Sequence, residues 1–194
     1  MARQRRHQDH FGRRAKREGK AARSVFKLEE IDERWQILSA GDTVLDLGCA
    51  PGSWLQYAGT KVGLSGHVVG YDLKPLDVSF PAHVEVRQGD AFEITTDALP
   101  ARLDVLLSDM APSTMGDHTT DALRSAALVE RALALAEKLL KPGGHTVLKV
   151  LEGGEVPGII KAMRSGYTKV ELLRPDATRK HSTEMFLIGL GKKA

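Results

Sequence analysis

Apolar residues fall in seven short runs separated by amphipathic or polar stretches. The runs are Thr43 to Leu47, His67 to Asp72, His83 to Val86, Leu103 to Ser108, His145 to Leu151, Thr168 to Leu173 and Glu184 to Leu190. Each has the length and β-branched content of a strand, and Thr43 to Leu47 reads as a buried central one. Between them the period changes to that of a helix. Val25, Leu28, Ile31 and Trp35 recur at helical spacing behind Ser24, a plausible N-cap. Ser53 to Thr60 opens another helix, Thr119 to Leu140 forms a long amphipathic one stopped by Lys141-Pro142-Gly143-Gly144, and Val156 to Arg164 a further one.

Strands alternating with helices predict an α/β domain built on a mainly parallel sheet with helices on both faces. Right-handed crossovers then place the carboxyl ends of the early strands along one edge, where ligands bind near the switch in strand order. Asp46, Asp72, Asp90 and Asp109 lie at or near those ends. Taken singly, each would serve equally well as a cap for the helix that follows.

The first strand runs into a tight turn, Asp46-Leu47-Gly48-Cys49-Ala50-Pro51-Gly52. Glycine there permits unusual backbone angles and close approach of a ligand. The helix that follows presents backbone N–H groups and the positive end of its dipole. The spacing is not that of a dinucleotide fingerprint, because Gly48 and Gly52 enclose Pro51; nor is it a P-loop, because no Lys-Ser or Lys-Thr follows. Asp72 lies about twenty residues past the turn, where nucleotide-binding α/β folds place a carboxylate on ribose hydroxyls.

Composition narrows the classes. With 194 residues, 42% hydrophobic and 27% charged, the chain suits one domain. A single cysteine, Cys49, excludes an intrachain disulfide and a Cys-based zinc site, and no apolar run is long enough to span a membrane. A soluble cytoplasmic protein is the expectation. The net charge of +3 hides an asymmetry: residues 1 to 27 hold ten Lys/Arg against two acids, and the remainder is net acidic. Residues 1 to 20 carry Arg3, Arg5, Arg6, Arg13, Arg14, Lys16, Arg17 and Lys20 with Phe11 as the only aromatic. They read as a flexible basic arm for a polyanion such as nucleic acid. His7 and His10 belong to that arm and not to a metal site, and no metal is expected.

The combination Arg23-Ser24-x-x-Lys27-Leu28, Asp46-Leu47-Gly48-x-Ala50-Pro51-Gly52-x-Trp54, Gln88-Gly89-Asp90, Ser108-Asp109-Met110-Ala111-Pro112, Lys141-Pro142-Gly143-Gly144, Lys149-Val150, Arg174-Pro175-Asp176 and Glu184 resembles the FtsJ/RrmJ-type RNA 2′-O-ribose methyltransferases. The resemblance spans about residues 20 to 190, and it implies a class I, Rossmann-like methyltransferase fold. That fold has a seven-stranded, mainly parallel sheet with an antiparallel last strand, formed by one domain over residues 21 to 194. It implies S-adenosylmethionine as cofactor, held by Gly52, Trp54, Asp72, Asp90 and Asp109. It also implies a catalytic tetrad of Lys27, Asp109, Lys149 and Glu184.

The residue types suit that chemistry. A ribose 2′-hydroxyl is a poor nucleophile, and a lysine can take its proton only from the neutral form, which a second ammonium nearby favours. Lys149 is the expected base, Lys27 the charge beside it, and Asp109 and Glu184 orient and balance them. Asp72 suits a ribose diol and Asp90 an adenine amino group. Arg179, Lys180 and His181, close to Glu184 in sequence, are candidates for a substrate phosphate. Cys49 reads as a small buried loop residue. A base-modifying methylase is the nearest rival, but Ser108 to Pro112 is not the Asn/Asp-Pro-Pro-Tyr turn of an amine methylase, and Cys49 is misplaced for a C5-pyrimidine nucleophile. A non-catalytic RNA-binding factor is the rival of another class, and the complete tetrad speaks against it. The family implies a uridine of 23S ribosomal RNA within the large ribosomal subunit as substrate, and a monomer is expected.

Overall fold

The computed structural model describes residues 2–99, 102–179 and 181–194, with side chains from residue 10 onward. Among the described residues five α-helices, α1 (Ala2–Arg17), α2 (Val25–Trp35), α3 (Ser53–Val62), α4 (His118–Leu139) and α5 (Val156–Gly166), surround seven strands. The strands are β1 (Thr43–Leu47), β2 (His67–Asp72), β3 (Val84–Gln88), β4 (Leu103–Ser108), β5 (Leu140–Leu151), β6 (Tyr167–Leu173) and β7 (Glu184–Lys192). They form one sheet in the order β3-β2-β1-β4-β5-β7-β6. The pairs among β1 to β5 are parallel, and β7 runs antiparallel to both β5 and β6. This is the class I methyltransferase architecture expected from the sequence.

Two apolar layers cover the sheet. One packs α4 and α5 against Leu45, Leu47, Leu106 and Leu148; the other packs α2 and α3 against Val44, Val105, Leu107 and Val147. Successive residues of a strand point to opposite faces, so a strand covered on both sides must be apolar throughout. Asp46 is the exception in β1. It has no exposed surface.

The sequence-predicted boundaries hold to within a few residues, with two instructive departures. Lys141-Pro142-Gly143-Gly144 does not form a separate stop: the chain leaves α4 directly into β5, which begins at Leu140. The end of α4 is capped from outside instead, by Lys192 Nζ donating to the carbonyls of Ala136, Glu137 and Leu140. Ser24 is likewise not a side-chain cap. Its backbone is already helical, and its hydroxyl pairs with Ser53 Oγ at 2.8 Å.

The N-terminal segment, expected to be a flexible arm, carries the helix α1. Phe11 and Ala15, one turn apart, share a face. They close a small apolar cluster with Val25, Phe26 and Ala177, and Arg14 lies 4.3 Å over the Phe26 ring. The side chains of Arg3, Arg5, Arg6 and His7, and the whole of Lys180, lie outside the described residues.

Candidate active site

The end of β1 and the end of β4 lie side by side at the point where strand order reverses. Gly48 leaves β1 with φ 75°, and a Cβ there would stand 2.7 Å from the backbone nitrogen of Met110. Only glycine lets the two loops approach so closely. Gly52, at φ 100°, turns the chain into α3. A cavity of about 490 Å³ opens beside these loops, lined among others by Gly48, Tyr71, Asp72, Asp90, Asp109 and Met110. Its size is that of a small-molecule site, which runs from about 300 to 1,000 Å³.

The acids at the strand ends have separate duties. Asp72 accepts the Ala50 N–H on Oδ2 at 2.9 Å and the Lys74 N–H on Oδ1 at 2.8 Å, so its carboxylate braces the glycine turn from the next strand. Asp90 accepts the Phe92 N–H at 2.9 Å and also borders the cavity. Asp109 donates its own N–H to Leu47 O at 3.0 Å, which carries the β1–β4 pairing one residue past the strand. Asp46 is buried beneath them with neither oxygen hydrogen-bonded. Burial above all, then the negative charges of Asp109 and Asp72, push its carboxyl well above the ordinary value.

Lys149 and Lys27 are both nearly buried, at 8% and 6% exposure, and each has a carboxylate partner. Lys149 Nζ donates to the carbonyl oxygen of Asp109 at 2.5 Å and lies 3.0 Å from Asp109 Oδ1. The second contact is an ion pair and not an aligned hydrogen bond, for Oδ1 accepts none among the described residues. Lys27 Nζ lies 2.5 Å from Glu184 Oε1. Lys149 on β5 stands opposite Phe186 on β7, two residues beyond Glu184, and the Lys27 ammonium is 5.7 Å from the Phe186 ring centre. The four tetrad residues thus come together as two ion pairs around Phe186, from α2, β5, β7 and the end of β4.

Two expected cofactor residues are placed elsewhere. Neither Gly52 nor Trp54 lines the cavity. Trp54 is 2% exposed, packs 5.8 Å from Phe186, and donates Nε1–H to Ser24 O. Its side chain fastens α3 to α2; what remains for a ligand is the backbone of the first turn of α3, where N–H groups have no partner within the helix. Sequence reasoning did not pick out Phe186, nor Ser113 and Thr114 of the lining loop. The signal for Phe186 was its spacing of two from Glu184 on a strand, which puts both on one face. Cys49 is buried as expected, and burial raises its thiol far above the ordinary value, so it has no nucleophilic character.

A model of the FtsJ-like methyltransferases matches residues 21–192. A protein of Desulfatibacillum aliphaticivorans called ribosomal RNA large subunit methyltransferase E is 50% identical over 188 residues, covering 95% of this chain and 91% of its own. A namesake from Syntrophobacter fumaroxidans is 47% identical over 190 residues, covering 94% of each. Among solved structures, a putative ribosomal RNA methyltransferase of Plasmodium falciparum superposes with a TM-score of 0.76 at 22% identity, over 89% of this chain and 98% of that one, which speaks to the fold alone. Family match, close relatives and a shared sheet agree over nearly the whole length, and the chain belongs to the FtsJ-like methyltransferases.

Proposed function

We propose that the protein transfers a methyl group from S-adenosylmethionine to the 2′-hydroxyl of a uridine ribose in 23S ribosomal RNA, within the large ribosomal subunit. The observation that carries this reading is the pair of buried ion pairs, Lys149–Asp109 and Lys27–Glu184, beside a cavity bordered by Asp72, Asp90 and Asp109. The names of the close relatives support ribosomal RNA of the large subunit as substrate.

The cavity fits the proposed cofactor in chemistry. Carboxylates on one side match hydroxyl and amino donors, while Tyr71, Met110 and Ala111 supply apolar surface. Asp72 is assigned to the ribose diol, Asp90 to the adenine amino group, and the backbone of Gly52 and Trp54 to the amino-acid end at the start of α3. Asp109 borders both cofactor and catalytic lysine. Bound there, S-adenosylmethionine supplies an electrophilic sulfonium methyl.

The residues of the chain then prepare the nucleophile. A neutral Lys149 has two N–H groups and one lone pair. Asp109 O accepts one of these N–H groups, and the lone pair would take the proton of the 2′-hydroxyl. Lys27, fixed by Glu184, contributes positive charge to the forming alkoxide. Holding hydroxyl and methyl in line supplies much of the rest. The basic N-terminal segment, with its C-terminal half packed on α2, adds phosphate contacts away from the reacting atoms.

Mapping 2′-O-methyl groups on ribosomal RNA from cells with and without this protein tests the proposal. One uridine site should lose its methyl group in the deletion and regain it on complementation. An unchanged map, or loss of a base methyl group instead, would sink it.

A further inference from the structure

The segment between β2 and β3, residues 73–83, runs from the edge of the cofactor cavity across the glycine turn. Its ends are fixed by hydrogen bonds. The Lys74 N–H donates to Asp72 Oδ1 at 2.8 Å, Gln88 Nε2 donates to Leu73 O at 3.0 Å, and the Val84 N–H donates to Pro81 O at 2.9 Å. Between these points, Pro75 to Phe80 make no hydrogen bond among the described residues. Packing holds the middle instead. Leu76 and Phe80 lie partly buried on the apolar layer of α2 and α3, and both meet Gly52. A Cβ on Gly52 would stand 2.8 Å from Phe80 Cζ and 3.3 Å from Leu76 Cδ2. Phe80 also borders a second cavity of about 420 Å³, which it shares with Leu55, Gly59, Val78 and Pro81. The ring thus has Gly52 against it and open space beside it.

Gly52 sits at φ 100° between the turn and the first residue of α3. Glycine reaches that conformation freely, and it has no side chain to hold it there. Its place must be fixed by neighbours, and Phe80 and Leu76 occupy the side where a Cβ would point. We infer that Phe80 is a positioning residue for the amino-acid end of the cofactor, acting through Gly52. The inference rests on S-adenosylmethionine as cofactor, with its amino-acid end at the start of α3. Phe80 does not line the cofactor cavity, so its action is indirect. Its ring fixes the peptides that lead into the first turn of α3, where N–H groups without a helical partner face the cofactor carboxylate. The adenosine end is held separately. Asp72 and Asp90 are set by the N–H groups of Ala50, Lys74 and Phe92 and make no contact of this kind with Phe80. Removing the ring would open Gly52 onto the second cavity, and a partly relaxed void leaves the turn free to shift. The loss should therefore fall on one end of the cofactor only.

The experiment compares Phe80→Ala and Phe80→Leu with the parent protein, full length in each case. Calorimetry measures binding of S-adenosylhomocysteine and of 5′-methylthioadenosine, two thioethers that differ only in the amino-acid end. Phe80→Ala should bind S-adenosylhomocysteine about 10-fold more weakly, as befits one loosened charge-assisted hydrogen bond. Its affinity for 5′-methylthioadenosine should stay within about twofold, because that ligand lacks the carboxylate. In methyl transfer to ribosomal particles the KM for S-adenosylmethionine should rise with the first of these losses, and kcat should change less. Phe80→Leu keeps an apolar contact with Gly52 and should recover most of the difference between the two ligands. Should Phe80→Ala fail to fold, Phe80→Leu decides alone, by a smaller loss confined to S-adenosylhomocysteine. Equal losses for both ligands would make Phe80 a structural residue only, and unchanged affinity for both would remove it from the site; either result overturns the inference. A parent protein that binds S-adenosylhomocysteine no tighter than 5′-methylthioadenosine would refute the assigned cofactor orientation and the inference with it. The expected split between ligands, in a parent that methylates no ribose, would uphold the role of Phe80 and refute the proposed reaction.

Discussion

The indole Nε1–H of Trp54 donates to the carbonyl oxygen of Ser24 at 2.9 Å, and the hydroxyls of Ser24 and Ser53 meet at 2.8 Å. These bonds join the helix that leaves the glycine turn to the helix that carries Lys27. The other side of the joint is Phe186, packed on Trp54 and facing the Lys27 ammonium. The glycine turn and Lys27 are thereby one mechanical unit. A resemblance alone would assign Trp54 to the cofactor; its burial assigns the side chain to alignment.

Trp54→Phe separates those roles. The substitution removes the donor to Ser24 O and leaves the backbone of α3 unchanged. S-adenosylmethionine affinity should stay within a few-fold of the parent, while single-turnover transfer falls about 10- to 100-fold through displacement of Lys27. Loss of cofactor affinity in proportion to the rate would instead make the indole a ligand contact. Calorimetry and rapid-quench transfer provide the two numbers.

Much of this site was legible because its residues lie in short strings at strand ends, where sequence position and spatial position coincide. Asp72, Asp90 and Asp109 border the cavity for that reason. The pairing of lysines with carboxylates was less legible. Lys27 meets Glu184 only because β7 inserts beside β5 and α2 packs over that junction, a long-range arrangement with no local signature. The capping of α4 by Lys192 was hidden likewise, since glycine and proline after a helix point to a local stop. Low apolar content gave no sign of α1, whose Phe11 and Ala15 join the cluster of Val25, Phe26 and Ala177.

Asp72 holds two backbone N–H groups at the edge of the cavity. Asp72→Ala should therefore weaken S-adenosylmethionine binding by about 1–3 kcal/mol, the usual effect of removing a paired polar contact. It should also lower the stability of the cofactor-free protein, because the Ala50 and Lys74 donors lose their acceptor. Titration calorimetry and urea unfolding of the variant measure both. Full cofactor affinity would take Asp72 out of the ribose role.

Asp46 gives a pH dependence of definite sign. Its carboxyl is raised in the folded state, so over the window above its ordinary value of 3.8 the native protein binds more protons than the unfolded chain. Stability from this group is present below that value and is lost as pH rises. Asp46→Asn has no such titration. The stability of the parent relative to the variant should fall between pH 5 and pH 8, measured by denaturant midpoints at each pH. A difference independent of pH would show that burial does not raise the Asp46 carboxyl.

The basic N-terminal helix can be tested by deleting residues 1 to 17. Cofactor affinity should persist, because the cavity lies wholly outside α1. RNA or particle binding should weaken and its salt dependence should flatten, since the segment carries much of the excess positive charge. An identical salt slope would leave α1 with a packing role only.

The proposed reaction stands or falls with Lys149. Its ammonium is nearly buried, and an unpaired charge there would be costly; Asp109 supplies both the carbonyl and the carboxylate that hold it. The glycine turn, Asp72 and Asp90, to which cofactor binding is assigned in the proposed reaction, hold their hydrogen bonds without the lysine side chain. Lys149→Ala should bind S-adenosylmethionine nearly as the parent does, while methyl transfer falls by roughly the 10²- to 10⁴-fold typical of a lost acid–base group. Lys149→Arg preserves charge and can still contact Asp109, yet a guanidinium keeps its proton and has no lone pair to offer the hydroxyl. The arginine variant should thus be about as slow as the alanine one in single-turnover transfer of labelled methyl to ribosomal particles at saturating cofactor. A rate near that of the parent would rule out proton abstraction by Lys149 and reduce its part to positioning and charge.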